Sequence, residues 1–305
     1  MIKSDETSSS GVYRNNEIEV IHSTFENIEQ SGQGNGALIN ADLKVGSILK
    51  INDSCSFTNC QSTSGSGGAI SSQLSNGELN IEDSTFDTCS ATQPGNGGAL
   101  SLCQYTTISI IKINNAAFTN CKTLTNPSNS TYGWGGAIFL FTSISSNTLS
   151  SSNLLMIDLA FSGCQSSIAG HNIHIRSPNT KETGLAISSN NLLTVNGTTD
   201  LYISPDYEFD YMGIDESKVN DGNNSPYKHL PLFASNIPIE AAKDYYINTD
   251  SGDDSGSCEE DQSSCQSITY ILDFKGSLIS DTGHLELYGL HFDNLISTTS
   301  AINPL

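Results

Sequence analysis

Apolar and polar residues alternate in short runs along the first half of the chain. Ile18/Val20, Leu49/Ile51, Leu79/Ile81, Ile111/Ile113 and Leu155/Ile157 enclose polar or charged residues such as Glu19, Lys50, Asn80 and Lys112. Such alternation marks strands with one buried and one wet face. A phenylalanine follows each run, at Phe25, Phe57, Phe86, Phe118 and Phe161, opening the motifs FENI, FTNC, FDTC, FTNC and FSGC at intervals of 32, 29, 32 and 43 residues. Gly-Gly-Ala recurs with the same rhythm at 67–69, 97–99 and 135–137, with a weaker copy at Asn35-Gly36-Ala37-Leu38. A period near 30 residues without a helical pattern reads as a solenoid, whose coils bury their apolar faces only by stacking. The chain is expected to be all-β, a parallel β-helix.

The glycines fit that architecture as corners. Neighbouring coils lie ~4.8 Å apart and leave little room for side chains. Gly36, Gly68, Gly98 and Gly136 are therefore expected at tight corners with positive φ, and Asn35 in place of the first glycine, because Asn tolerates the left-handed region. Cys60, Cys89, Cys121 and Cys164 each stand three residues after the repeat Phe and should form one inward column headed by Ile28. Stacked free thiols behave as small apolar groups. Bridging neighbouring rungs would require pinching the Cβ atoms together, and a zinc site needs four converging ligands that a linear column cannot supply. Neither a metal nor another cofactor is expected.

Residues 11–192 read as about five such coils. Residues 193–243 lose the repeat, gain Asp, Tyr and Pro, and read as a cap and connecting segment. Residues 244–305 read as the opening segment and first coils of a second β-helix: a strand, a Gly/Asp loop and a Cys-bracketed turn lead into Ser267-Ile268-Thr269. Leu285/Leu287 then precede Phe292 as Ile81 precedes Phe86, by five residues from the second apolar position. Cys258 and Cys265, close together in a polar loop, are expected to form a disulfide. An open last rung would expose an edge, so the chain reads as a piece of a longer array.

Composition narrows the partners. The chain has 305 residues, 36% hydrophobic and 15% charged, too apolar for disorder and too rich in Gly, Ser and Asn for a helical fold. Its net charge of −21, without a Lys/Arg cluster, excludes nucleic acid as a partner. No apolar run reaches the ~18 residues that span a bilayer, so direct membrane insertion of this segment is not expected. Met1 to Asp5 open no signal peptide, so if the protein is exported this chain is expected to be an internal piece or to lack its leader.

The pairing of an FxxN-like motif with Gly-Gly-Ala-Ile/Leu resembles the repeat of the polymorphic outer-membrane proteins. These are bacterial surface adhesins, and protist surface proteins share the repeat within the pectin lyase-like right-handed β-helix superfamily, which implies a right-handed parallel β-helix here. The resemblance covers roughly residues 17–176. The family's terminal Asn is Cys here in four copies, with Asn one place earlier at Asn59 and Asn120, and no C-terminal β-barrel pattern is present. The resemblance implies an extracellular or cell-surface protein with a structural or adhesive role toward a host or neighbouring-cell glycan or protein. Four N-x-S/T sites, at Asn52, Asn129, Asn196 and Asn223, are candidate glycosylation positions.

The same superfamily also carries polysaccharide lyases and hydrolases, which makes an enzyme the alternative. Asp53 and Asp83 each stand two residues after an inward Ile, so on adjacent rungs their carboxylates could lie ~5 Å apart, near the separation retaining glycosidases use. His22 and Asn115 share that column, and a mixed His/Asp/Asp/Asn column fits turn residues bonded to the local backbone better. Arg176-Ser177-Pro178 lacks the rest of a lyase arginine motif, and the acidic loop Asp250 to Asp261 lacks a calcium-ligand spacing. The fourth repeat holds a longer loop, NPSNSTYGW, with Tyr132 and the sole Trp134. Loops on repeat scaffolds commonly carry binding surfaces. Tyr132 and Trp134 are the binding candidates, the other reading being that Trp134 folds back over the solenoid as a cover.

Overall fold

A computed structural model describes residues 16–32, 34–219 and 228–236. The first coil consists of β1 (Asn16–Ile21), β2 (Thr24–Glu26), β3 (Glu29–Gln30) and β4 (Ile39–Leu43). Three more coils repeat the four-strand plan: β5–β8 (Ser47–Asn52, Ser56–Thr58, Gln61–Ser62, Ile70–Leu74), β9–β12 (Glu78–Glu82, Thr85–Asp87, Ser90–Thr92, Leu100–Gln104) and β13–β16 (Ile110–Asn114, Ala117–Thr119, Lys122–Leu124, Ile138–Thr142). The fifth coil merges its first two strands into β17 (Leu154–Ser162) and returns through β18 (Ile173–Ser177). Equivalent strands pair in parallel from coil to coil, and β17 joins the first and second sheets. The protein is a parallel β-solenoid, as the repeat implies.

The pairing continues past residue 192. β19 (Leu193–Val195) joins β17, and β20 (Tyr211–Asp215) adds to the fourth sheet beyond β18. Between β18 and β19, α1 (Thr180–Ser189) lies against the end of the stack, with Asn179 as its N-cap accepting from Glu182 N. Gly184 packs so close to Leu232 that a Cβ would sit 1.6 Å from its carbonyl oxygen. β21 (Leu230–Pro231) pairs antiparallel with β20 and ends the parallel order. The expected second β-helix over 244–305 lies outside the described residues, as do Asn223, Cys258, Cys265 and the loop Asp250 to Asp261.

Side-chain columns fill the bore. Leu49, Leu79, Ile111 and Leu154 form one, and Ile51, Ile81, Ile113 and Met156 the next. In the fifth coil the inward residues are Leu154 and Met156, so the expected pair Leu155/Ile157 is one residue out of register and faces outward. Leu154 to Ile157 is an unbroken apolar run, in which alternation carries no phase.

The repeat phenylalanines form a continuous ladder. Phe25, Phe57, Phe86, Phe118 and Phe161 stack with centroids 5.2, 4.7, 5.0 and 5.2 Å apart, the inner rings within 6° of parallel. Phe57, Phe86 and Phe118 are fully buried, each contributing about 2 to 3 kcal/mol from burial. Beside them runs the cysteine column, and Cys60, Cys89, Cys121 and Cys164 are free thiols. Cys89, Cys121 and Cys164 donate to the carbonyls of Phe57, Phe86 and Phe118, one coil back, at 3.4–3.5 Å. Hydrogen bonds between neighbouring sulfurs, then burial, push Cys60 and Cys121 above the ordinary thiol value, and bonds from Cys121 and Cys60 hold Cys89 below it.

Three columns of left-handed backbone make the corners. His22, Asp53, Asp83, Asn115 and Asp158 (φ 46–56°) precede the Phe strands, and Asn27, Asn59, Thr88, Asn120 and Gly163 (φ 51–64°) follow them. The third column corrects the expected glycine roles. Gly36, Gly67, Gly97 and Gly135 hold positive φ, whereas Gly68, Gly98 and Gly136 do not. Those three are excluded from a side chain by space: a Cβ on Gly98 would lie 2.0 Å from Gly136 O. β4 pairs Ile39 with Ile70, so Gly36 aligns with Gly67 and Asn35 with Ser66. Asn35 is therefore no left-handed substitute; its Oδ1 accepts from Ser66 N, and Ser66 Oγ accepts from Asn96 N in turn.

Candidate functional site

The outer face of the first sheet is a groove of about 440 Å³. Strand register sets its lining: Glu19, Lys50, Asn80, Lys112 and Leu155 form one row across five coils, and Glu82, Asn114 and Ile157 part of the next. The out-of-register turn of the fifth coil is what places half-buried Leu155 and Ile157 at one end. Two carboxylates and two ammonium groups line the groove, a local balance in a chain of net charge −21.

The polar groups are bonded to one another between and within rungs. Asn52 Nδ2 donates to Glu19 at 3.1 Å, Asn80 Nδ2 to Glu78 at 2.9 Å and Asn114 Nδ2 to Glu82 at 3.0 Å. Lys50 bonds Glu17, which pushes its ammonium above the ordinary lysine value, and Lys112 lies 3.9 Å from Glu78. The amide nitrogens are thus satisfied, but the carbonyl oxygens of Asn52 and Asn80 are buried without a hydrogen-bond partner. An unmatched buried acceptor costs about 1 to 3 kcal/mol. Sequence reading placed Asn80 on a wet face and Asn52 in a glycosylation motif; their unmatched acceptors are buried by the stacking of the coils.

Asp53 and Asp83 lie at the turn bordering this face. Both are exposed and both belong to the left-handed column described above. Asp83 Oδ1 accepts from Asn115 Nδ2 at 2.5 Å, and Asp53 O accepts from His22 N at 3.2 Å. The column is occupied by short polar residues in a tight left-handed turn, and the bonds it makes run from coil to coil rather than from side chain to local backbone as expected of a mixed His/Asp/Asn set. Arg176 is likewise committed, bonded to Glu216 and 5.3 Å above the Phe141 ring.

The aromatic loop does not present a flat surface to solvent. Trp134 is fully buried, packed 5.0 Å from His174, 5.1 Å from His229 and 6.1 Å from Phe139. Its amide and that of Gly133 donate to Asn96 Oδ1 at 2.9 and 3.0 Å. Phe139 and His174 point outward from the fourth sheet, and the loop folds back to cover them. Of the two readings of this loop, Trp134 folds back as a cover, and the binding candidates are corrected to one half-buried ring, Tyr132, set edge-on to Trp134 at 5.1 Å. Sequence reading passed over the His174–His229 contact, 2.9 Å between Nε2 and Nδ1. Burial, then His229, holds His174 well below the ordinary histidine value.

Of the glycosylation candidates, Asn129 and Asn196 are exposed and Asn52 is half-buried. Asn129 Oδ1 accepts from Thr131 Oγ1, and Asn196 Nδ2 donates to Asp158 O. Among the described residues no group of three or more His, Cys, Asp or Glu could hold a metal ion, and no helix is long and apolar enough to cross a membrane. The chain matches no family model, no curated protein and no solved structure.

Proposed function

We propose that the chain is a non-catalytic surface or secreted β-solenoid with a structural or adhesive role, built from repeats of the polymorphic outer-membrane protein type within the pectin lyase-like superfamily. Its adhesive face is the groove on the first sheet, and its ligand is an uncharged, hydroxyl-rich glycan of a host or neighbouring cell. The observation that carries this reading is the groove itself, in which Glu19, Glu82, Lys50 and Lys112 balance in charge among the side chains of Asn52, Asn80 and Asn114. Sugar hydroxyls can both donate to the carboxylates and accept from the ammonium groups that line it, whereas an anionic polymer meets the repulsion of a strongly acidic chain. The commitment of Asp53 and Asp83 to a turn column supports a binding role over catalysis.

Calorimetric titration of the full chain with neutral and anionic oligosaccharides tests the proposal. A neutral oligosaccharide is expected to bind, and Asn52→Ala with Asn80→Ala to weaken it at least tenfold at an unchanged melting temperature. Binding confined to anionic sugars, or unaffected by both substitutions, would overturn it.

A further inference from the structure

The fourth sheet carries a second apolar cluster on its outer face, apart from the bore, built on Trp134, Phe139 and Ile214. Register places His174 in it, on β18 between Phe139 of β16 and Met212 of β20. His229, the residue before β21, reaches the same cluster. Its ring lies 5.1 Å from Trp134 and 5.0 Å from His174, with Nδ1 2.9 Å from His174 Nε2. Both histidines are fully buried.

A bond between two imidazoles needs one N–H and one lone pair. At most one ring can therefore be charged while the contact holds, since a second proton sets two N–H groups head to head. The first proton is also poorly received: His174 Nδ1 is buried without a hydrogen-bond partner, and among the described residues only His229 bears electrically on His174. The charged groups on the surrounding elements are engaged elsewhere. Arg176 of β18 bonds Glu216, which follows β20, Lys218 lies 3.2 Å from Asp215, and His171 contacts Ser166. Tyr132 of the loop meets Trp134 edge-on, and Lys228 adjoins His229 in sequence.

The two sides of the contact are held with unequal strength. β21 pairs with β20 over two residues only, Leu230 and Pro231, and beyond it Leu232 and Phe233 are buried against the end of the stack. Trp134 is fixed within its coil, where its carbonyl accepts from Gly97 N at 2.8 Å and its backbone bridges to Ala169.

We propose that His174 and His229 form an acid-operated latch on the outer face of the fourth sheet. When both rings take up protons, His229 leaves the cluster and β21 unpairs from β20, while Leu232 and Phe233 keep the segment attached as a hinge. Trp134, Phe139 and Ile214 then become an accessible apolar patch. Each ring that gains its proton only on opening raises the open-to-closed ratio tenfold per pH unit below its unperturbed value of about 6.5. Two rings over two units give about 10⁴, the factor that carries a two-state equilibrium from 1:99 to 99:1. The latch is thus closed above that value and released as pH falls below it.

Acrylamide quenching of the sole Trp in the full chain, followed from pH 8 to 4.5, tests the latch; accessibility is read rather than intensity, because a protonated imidazole quenches an adjacent indole in any case. Quenching is expected to rise several-fold below about pH 6.5 with two protons linked, while far-UV circular dichroism and amide protection of residues 78–92 stay unchanged. His229→Gln should reduce the linkage to one proton, and His174→Gln with His229→Gln should abolish the pH dependence. Quenching that stays flat in the wild type would overturn the proposal, as would a two-proton transition that persists in His229→Gln. Loss of circular dichroism in step with quenching would also overturn it, by assigning the change to acid unfolding of the whole solenoid.

Discussion

Phe86→Ala probes the ladder where its contribution is largest. The ring is fully buried and lies 4.7 and 5.0 Å from Phe57 and Phe118, within 6° of parallel to both. Removing a buried Phe costs about 3 to 5 kcal/mol, and with two stacking partners lost the value should fall near the top, about 4.5 kcal/mol. Phe25 is half-buried with one partner, at 5.2 Å and 24°; its truncation should cost about 1.5 to 2 kcal/mol, a partial burial term plus one stack. Urea unfolding followed by circular dichroism and by the fluorescence of the sole Trp, Trp134, measures both. Equal costs at the two positions, or a loss under about 1 kcal/mol at Phe86, would show that the rings do not form a stacked interior column.

Three further outcomes are expected. Asn96→Ala leaves the buried amides of Gly133 and Trp134 without their acceptor and should cost about 2 to 3 kcal/mol in the same urea assay; a loss within error of an exposed-site variant would count against the pinned loop. His174 is held neutral by burial, so below its unfolded value of about 6.5 the unfolded chain binds the additional proton. Stability should fall with pH from there toward the depressed native value, by up to about 1.4 kcal/mol per pH unit, and His174→Gln should reduce that slope; an unchanged slope would contradict the buried neutral site. Cys89→Ala should cost roughly 1 kcal/mol, and alkylation with mass mapping should leave Cys60, Cys89 and Cys121 unmodified in the native protein and modified once it unfolds. Resistance to alkylation after unfolding without reductant would reveal disulfides instead.

Much of the solenoid was legible because its spacing repeats: the Phe and Cys columns fall at fixed offsets, and each alternating run has one phase. The phase failed where local contrast vanished, in the apolar run Leu154 to Ile157 and at Asn35-Gly36-Ala37-Leu38, where pairing of Ile39 with Ile70 fixes the register. α1 was hidden because TKETGLAISS contains Gly and Ser and lacks a clear apolar stripe, and its place is set by packing on Leu232. The orientation of Trp134 depends on His174 and His229, distant in sequence. The buried, unmatched acceptors of Asn52 and Asn80 are a property of stacked rungs, which no single repeat displays.

The most direct measurement incubates the full chain with neutral and acidic polysaccharides and follows, in the same samples, bound sugar and newly formed chain ends. A binding scaffold should retain neutral glycan with no new reducing or unsaturated ends, and Asp53→Asn with Asp83→Asn should leave retention unchanged. Release of chain ends by the wild type that disappears in those two variants would contradict the scaffold and make the exposed turn column a catalytic one.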